Sequence, residues 1–442
     1  MSASITEIPI KYNEKGLPIP RGQLVATEYG TLIEHYPEYL AKLIMDTGGI
    51  RGPIGVQYVV NESIRYAQKI NEINVSIKNG QLRDQLHELE FEETPGFVHN
   101  YKGGIKSDGT YRWGRGLATI TAYCAADCVH CTRGRIVGRA KNKYVQQNID
   151  SPQGLDNKME LTFPEVDDIF NLYRIDPWLT EIIISGGEFL IARLELFKHV
   201  VSGTAQLMRE TKYNEYLGKE IPVLDIVRIG ARLPVQNPQL VTDERIDILK
   251  QLINPNFMLH INHPAELTDD ALEALNKLRS IPGANLYSQS VFLRGVNAVL
   301  KPGYEVEDQE LEYEQREGPD GKVYSVPVKD HSIDEKATVQ LLIDMFSVLK
   351  RKGNINPYYL FQNDKVHWAM PLTVPPPQAI EIWQQVAPND MSGLVNSAQF
   401  VFDNGHGKVA AAKSQNIISD KQAGHFDYRG HFVPWGELIE GA

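Results

Sequence analysis

The sequence predicts an α/β protein: a partial (β/α)6 TIM-like barrel, with a mostly helical extension before it and a C-terminal segment after it. Two observations predict this. Between about residues 115 and 363, short β-rich runs alternate with helical patterns, which specifies a parallel sheet with helical crossovers. The residues equipped for chemistry each follow one of six β-rich runs, as expected where functional groups gather at the carboxyl ends of parallel strands.

Residues 1–105 read as a polar, mostly helical extension, with apolar spacing in Tyr39, Leu40, Leu43 and Ile44 and again in Ile64, Ala67 and Ile70. The barrel is assigned to 106–365. Its strands are expected at 117–121, 181–185, 223–229, 257–262, 287–293 and 357–362, with helical patterns at 164–172, 191–208 and 242–252. The clearest helix opens with Thr268-Asp269-Asp270, a cap and an acidic first turn, and carries Leu272, Leu275 and Leu278 on one stripe. An insertion at about 301–332 reads as a β-hairpin. It contains Tyr304-Glu305-Val306-Glu307 as an acidic first arm, the turn signal Gly318-Pro319-Asp320-Gly321, and then Val323-Tyr324-Ser325-Val326. A solvated excursion is the plain account of that acidic arm, and a substrate lid or oligomer contact the sharper one. Residues 366–442 are the C-terminal segment.

Composition narrows the function. In 442 residues, 45 Lys and Arg face 56 Asp and Glu, a net charge of −11 that repels a phosphate backbone, so a nucleic-acid partner is not expected. Hydrophobic content of 42% with 23% charged residues is globular, and no apolar run is long enough to span a membrane. The N-terminal Met-Ser-Ala-Ser-Ile-Thr-Glu lacks a basic stretch followed by an apolar one, so the chain is expected in the cytoplasm.

All three cysteines, Cys124, Cys128 and Cys131, lie in Cys-Ala-Ala-Asp-Cys-Val-His-Cys. Three thiolates at such spacing can wrap one [4Fe-4S] cubane and leave one iron open to a small molecule. The alternative is zinc held by three sulfurs and a histidine; His130, next to Cys131, is poorly placed to share that metal.

Cys-x3-Cys-x2-Cys after a first barrel strand resembles the signature of the radical S-adenosylmethionine (radical SAM) enzymes. With His130 before the last cysteine it resembles their lysine 2,3-aminomutase branch. From about residue 110 to 410 further runs are similar to that family: Cys128-Val129-His130-Cys131-Thr132-Arg133, Ile183-Ile184-Ser185-Gly186-Gly187-Glu188, Arg228-Ile229-Gly230-Ala231-Arg232-Leu233-Pro234-Val235, Asn262-His263-Pro264, Gln289-Ser290-Val291-Phe292-Leu293-Arg294 and Pro357-Tyr358-Tyr359-Leu360-Phe361-Gln362. The resemblance implies a radical SAM barrel and SAM contacts from Ser185, Gly186, Gly187, Glu188, Arg232 and Gln289.

It also implies pyridoxal 5′-phosphate (PLP). Lys408, in Asp403-Asn404-Gly405-His406-Gly407-Lys408, matches the family's PLP lysine after a sparser glycine run, and Arg112 and Arg115 match the arginines that hold the phosphate. Arg133 matches the arginine that binds the substrate α-carboxylate. Asp364 matches one aspartate that grips a lysine ε-amine, while the second such position is Val401; Asp403 is a neighbouring substitute, and Lys365 and His367 follow Asp364 closely. The implied activity is an amino-acid 2,3-aminomutase, with the C-terminal segment closing over PLP. An electron donor such as flavodoxin or ferredoxin and a homo-oligomeric assembly are expected. Two other readings stay open: a radical SAM isomerase, epimerase or protein-modifying enzyme without PLP, and a zinc-stabilised binding protein.

Overall fold

The computed structural model describes residues 13–17, 25–27, 30–32, 36–59, 86, 88, 90–134, 137, 158–364, 369–386, 395–403, 407–412, 421–427 and 430–439. At its centre is a ten-stranded sheet. The chain enters it through β1 (Glu92–Thr94), β2 (Phe97–Tyr101), β3 (Gly114–Thr121), β4 (Leu179–Gly186), β5 (Ile226–Ala231), β6 (Asn256–Leu259) and β7 (Asn285–Phe292). A separate hairpin follows, β8 (Leu311–Glu317) and β9 (Val323–Asp330), and the sheet resumes with β10 (Asn356–Gln362), β11 (Gln399–Phe402) and β12 (Val409–Ala410). The spatial order is β12-β11-β10-β7-β6-β5-β4-β3-β2-β1. Pairing is parallel from β3 through β11 and antiparallel at the two edges. Side-by-side parallel strands joined by helical crossovers are consistent with a partial α/β barrel.

The helices are α1 (Glu38–Asp46), α2 (Phe163–Ile175), α3 (Leu194–Leu207), α4 (Asp243–Leu249), α5 (Asp269–Arg279), α6 (Glu335–Arg351) and α7 (Pro376–Val386). Helix α5 starts where its sequence requires: the Thr268 hydroxyl accepts from the Ala271 amide at 3.2 Å, Asp269 and Asp270 fill the first turn, and Lys277 and Arg279 the last. Leu275 and Leu278 are buried, and Leu272 sits at the margin of the stripe.

Burial alternates along the strands. In β4, Ile182 and Ile184 are buried while Glu181, Ile183 and Ser185 are half-buried; in β7, Leu286 and Phe292 alternate with Tyr287, Gln289 and Val291. The buried set packs against Leu196, Phe197, Leu275, Leu342 and Phe346 of the covering helices in one continuous core. The opposite face carries Arg115, Glu181, Arg228, Tyr287, Gln289, Tyr359 and Phe361, and it is concave. The charges of Arg115 on β3 and Arg228 on β5 bear on the Tyr359 hydroxyl of β10, three strands that are not sheet neighbours of one another.

Several sequence expectations need adjusting. Strand β11 continues the parallel set beyond the six expected runs, because its apolar run Gln399–Phe402 is too short to stand out from the C-terminal segment. In the extension, α1 buries Leu40, Leu43 and Ile44, whereas β1 and β2 join the sheet; Ile64, Ala67 and Ile70 lie outside the described residues. The insertion is a hairpin, but its first arm is Leu311–Glu317 and not Tyr304–Glu307. Glu305 and Glu307 turn toward Arg51 instead, and Val306 offers its carbonyl to Arg294. Arm β8 faces water through Glu312, Tyr313 and Glu314, while β9 buries Tyr324 and Val326. Among the described residues no helix is long and apolar enough to cross a membrane.

Candidate active site

The rim expected from the sequence exists. Because β3 through β10 run parallel, residues just past their carboxyl ends share one edge of the sheet: Cys124 after β3, Gly187 and Glu188 after β4, Arg232 after β5, His263 after β6, and Asp364 after β10. Arg294, after β7, does other work. Its guanidinium is wholly buried against Asp330 and holds the insertion.

The cysteine loop is seated by the glycine pair. Gly187 donates its amide to the Thr121 carbonyl and Glu188 to that of Tyr123, each at 2.6 Å. A Cβ on Gly187 would stand 2.2 Å from the Tyr123 oxygen and 2.8 Å from the Cys124 sulfur, and Gly186 adopts φ +130° against Thr121. The close approach anticipated for a ligand is thus made first to the chain itself. Replacing Gly187 by Ala is expected to push the cysteine loop away and lower iron incorporation at least about tenfold while costing about 1–3 kcal/mol of stability; iron analysis after anaerobic reconstitution reads the first and urea unfolding the second.

Cys124, Cys128 and Cys131 are close enough for their charges to interact. Burial raises each, and the neighbouring cysteines add to that rise at Cys124 and Cys131, the latter pushed up to about 12. Among the described residues no three His, Cys, Asp or Glu side chains are gathered tightly enough for a single ion. Arg232 lies between the loop and the barrel, its Nη1 3.0 Å from the Cys128 sulfur and its Nη2 3.0 Å from Glu266. His130, buried and held neutral by that burial and by Arg232, stands 3.2 Å from the same guanidinium. Arg232 Nε and His130 Nδ1 are buried without a hydrogen-bond partner. Glu188 is committed: its carboxylate accepts from the amides of Leu190, Arg232 and Leu233 at 3.1, 2.7 and 2.8 Å. Burial pushes it up to about 7 against the pull of those amides.

A second cluster stands at the far end of the rim. Lys408, just before β12, donates to Asp403 at 2.7 Å, and its ammonium lies 5.3 Å over the Phe361 ring. Asp364 is close enough to feel both: burial, then Asp403, push its carboxyl up to about 8, and Lys408 opposes them. Val401 pairs with Phe361 on β10, and Asp403, two residues on, falls on the same face. Lys365, His367, Asn404, Gly405 and His406 lie outside the described residues. Arg112 and Arg115 are drawn together over one ring, 5.4 and 4.6 Å from the centre of Tyr101. Arg133 forks onto Glu88, with Nη2 at 2.7 Å and Nε at 3.0 Å from both oxygens, and reaches Ser185 at 3.2 Å.

Sequence comparison now bears on these residues. No protein-family model matches the chain. L-lysine 2,3-aminomutase of Clostridium subterminale is 30% identical over 237 residues, 54% of this chain and 47% of that protein. L-lysine 2,3-aminomutase of Haemophilus influenzae is 36% identical over 219 residues, 48% and 51% of the two chains. Glutamate 2,3-aminomutase of Clostridioides difficile is 30% identical over 185 residues, 41% and 35%. The chain is a distant homologue of the lysine and glutamate 2,3-aminomutases. It spans about half the length of the two lysine enzymes and about a third of the glutamate enzyme.

For this aminomutase homologue the donor set suits the groups its motifs imply. Three thiols that burial holds protonated, with repulsion from neighbouring cysteines added at Cys124 and Cys131, require compensating positive charge to become thiolates, which irons provide; each cysteine of a cubane takes a separate iron, so tight convergence on one ion is not needed. The charge of Arg115 is felt at Tyr359 and Lys408 stands over Phe361, two inner-face residues of one strand, so a cation and an amine serve the same face of the sheet, the two kinds of group a phosphate-bearing aldehyde requires. Sequence reasoning missed Gln57, Tyr58, Glu88 and Tyr101, all from the extension, since nothing local marks a residue whose partner lies far along the chain.

Proposed function

We propose that the chain is a radical SAM, PLP-dependent amino-acid 2,3-aminomutase, an isomerase that moves the α-amino group of a substrate to its β-carbon. The observation that carries the reading is the common edge: the thiols of Cys124, Cys128 and Cys131 and the Lys408 ammonium stand at the carboxyl ends of one parallel sheet, with Arg112 and Arg115 behind them. The barrel assigned to 106–365 is extended by β1 and β2 of the N-terminal extension and by β11 and β12 of the C-terminal segment, and we place it in a cytoplasmic homo-oligomer served by a flavodoxin or ferredoxin.

When bound, a [4Fe-4S] cluster with SAM supplies a 5′-deoxyadenosyl radical, and PLP spreads the unpaired electron of the substrate. The protein's own share is placement. Cys124, Cys128 and Cys131 fix the cluster, and Arg232 Nε, His130 Nδ1, Ser185 and Gln289 offer polar groups toward SAM. Arg112 and Arg115 would hold the phosphate, and Lys408, kept in place by Asp403 beside Asp364, would hold the aldehyde end of the cofactor. Arg133 receives the substrate carboxylate in its planar fork. The walls at Phe361 and Val401 keep water from the reacting carbon.

Anaerobic reconstitution with iron, sulfide and PLP, borohydride reduction and peptide mass spectrometry test the reading. A pyridoxyl group on Lys408 is expected; an unmodified Lys408 in iron-loaded protein would remove PLP from the mechanism. Glu88 fills the Arg133 fork, so a substrate carboxylate must displace it. Glu88→Gln is therefore expected to lower the substrate KM by about threefold to tenfold with kcat little changed, read by steady-state kinetics.

A further inference from the structure

The segment 49–59 packs directly on the cysteine loop. It is tightly wound: two short 3-10 turns, Gly49–Arg51 and Gly55–Gln57, close on each other so that a Cβ on Gly55 would stand 2.4 Å from the Gly49 carbonyl. The Val129 amide, between Cys128 and Cys131, donates to the Gln57 carbonyl at 2.8 Å. Val56 packs with Val129 and Leu293, while Ile54, Tyr58 and Val59 pack with Ala126 and Cys128.

Gln57 is fully buried, and its amide has one orientation. Nε2 donates to the Pro53 carbonyl at 3.0 Å, which leaves Oε1 to accept from Asn262 at 2.9 Å and from Arg232 Nη2. Tyr58 lies under the same guanidinium, ring centre 5.0 Å from Cζ, and its hydroxyl accepts from Gln236 at 3.3 Å. Glu266 holds the guanidinium from the other side. The residues so held, Arg232 and Gln236, both donate to one sulfur, that of Cys128, at 3.0 and 3.3 Å.

We propose that the N-terminal segment is a positioning element for the cysteine loop: Gln57 and Tyr58 hold Arg232 and Gln236 against the Cys128 sulfur and thereby raise the reduction potential of the cluster carried there. This rests on the cluster assignment of the proposed function. Hydrogen bonds to a ligating sulfur withdraw charge from it and favour the reduced, more negative cluster, and one of these donors is cationic. The two short turns of segment 49–59 thus set how readily the cluster accepts its electron, and Gln57 is a positioning residue that acts through Arg232.

The test uses the full chain reconstituted anaerobically with iron and sulfide, assayed for both elements and titrated with dithionite against redox mediators while the reduced cluster is followed by electron paramagnetic resonance. Gln57→Leu removes the acceptor that aims Arg232. Gln236→Leu removes one donor and leaves Gln57 in place. Val56→Ala loosens the same turn without touching a polar contact. At the wild-type midpoint the ratio of reduced to oxidised cluster is expected to fall about tenfold in Gln57→Leu, a 59 mV shift for one electron. It should fall about threefold in Gln236→Leu and stay within error in Val56→Ala. Equal midpoints in wild type and Gln236→Leu overturn the proposal, as does a shift in Val56→Ala matching that of Gln57→Leu, which marks general loosening. Should Gln57→Leu not fold, the Gln236→Leu midpoint decides alone. Wild-type protein that takes up neither iron nor sulfide sinks the cluster assignment and this inference with it, a result distinct from an intact cluster with an unmoved potential.

Discussion

Arg294→Met is expected to cost about 3–5 kcal/mol of stability, the usual consequence of removing one partner from a buried ion pair. Arg294 and Asp330 are both wholly buried, with Nε 2.6 Å from Oδ2. The guanidinium also reaches Ser332 at 2.7 Å and the Val306 carbonyl, while Asp330 Oδ1 accepts from the Ser332 amide and hydroxyl at 2.9 and 2.6 Å and from the Glu310 amide at 3.1 Å. Methionine fills much of the volume but leaves the Asp330 charge uncompensated and the Val306 carbonyl without its donor. The urea midpoint should fall accordingly. Because Arg294 ties the base of the insertion to the strand that carries Gln289, proteolysis within 301–332 should accelerate in parallel. Adding Asp330→Leu should recover a large part of the loss, since the pair removed together leaves no orphaned charge. A single mutant that unfolds within 1 kcal/mol of wild type would show that water reaches the pair.

Asp364 predicts a pH dependence of the ligand-free protein. Burial and then Asp403 raise its folded-state pKa to about 8, far above an ordinary aspartate, with Lys408 pulling the other way. A carboxyl raised on folding holds its proton in the native state where the unfolded chain has released it. Its contribution is therefore fully present below about pH 4 and is lost as pH rises toward about 8. Stability should decline across that window by as much as several kcal/mol. Asp364→Asn removes the titration. The variant is expected to match wild type near pH 4 and to exceed it near pH 8.5, measured as urea midpoints at the two values. A wild-type profile as flat as that of the variant would place the Asp364 carboxylate in contact with water.

The architecture was legible because it is written in local patterns. The helix-sheet alternation placed the parallel strands β3 to β7 and β10, and the Thr268 cap placed the start of α5. What escaped was β11, whose four residues carry too little periodicity to register, and the first arm of the hairpin, where the acidic run 304–307 looked like a strand but is a loop shaped by Arg51 and Arg294. At the site, Cys124, Cys128 and Cys131 could be named from spacing, Asp364 from its position after a strand, and Lys408 from the resemblance carried by its glycine run. The occupant of the Arg133 fork could not be named, because Glu88 lies 45 residues away.

What the sequence alone determined is the order of the parallel strands, the edge at which chemistry gathers, and the cluster of thiols after the first barrel strand. These follow from side-chain periods of two and 3.6 and from residues adjacent in the chain. Only the tertiary structure decided which charges meet: Arg133 with Glu88, Lys408 and Asp364 with Asp403 beside the apolar Val401, and Arg232 with Gln57, Tyr58 and Glu266 behind the Cys128 sulfur. The reason is physical. A buried charge or amide must find a partner, yet which partner comes within 3 Å depends on how elements as much as 205 residues apart pack together, and no local pattern carries that information.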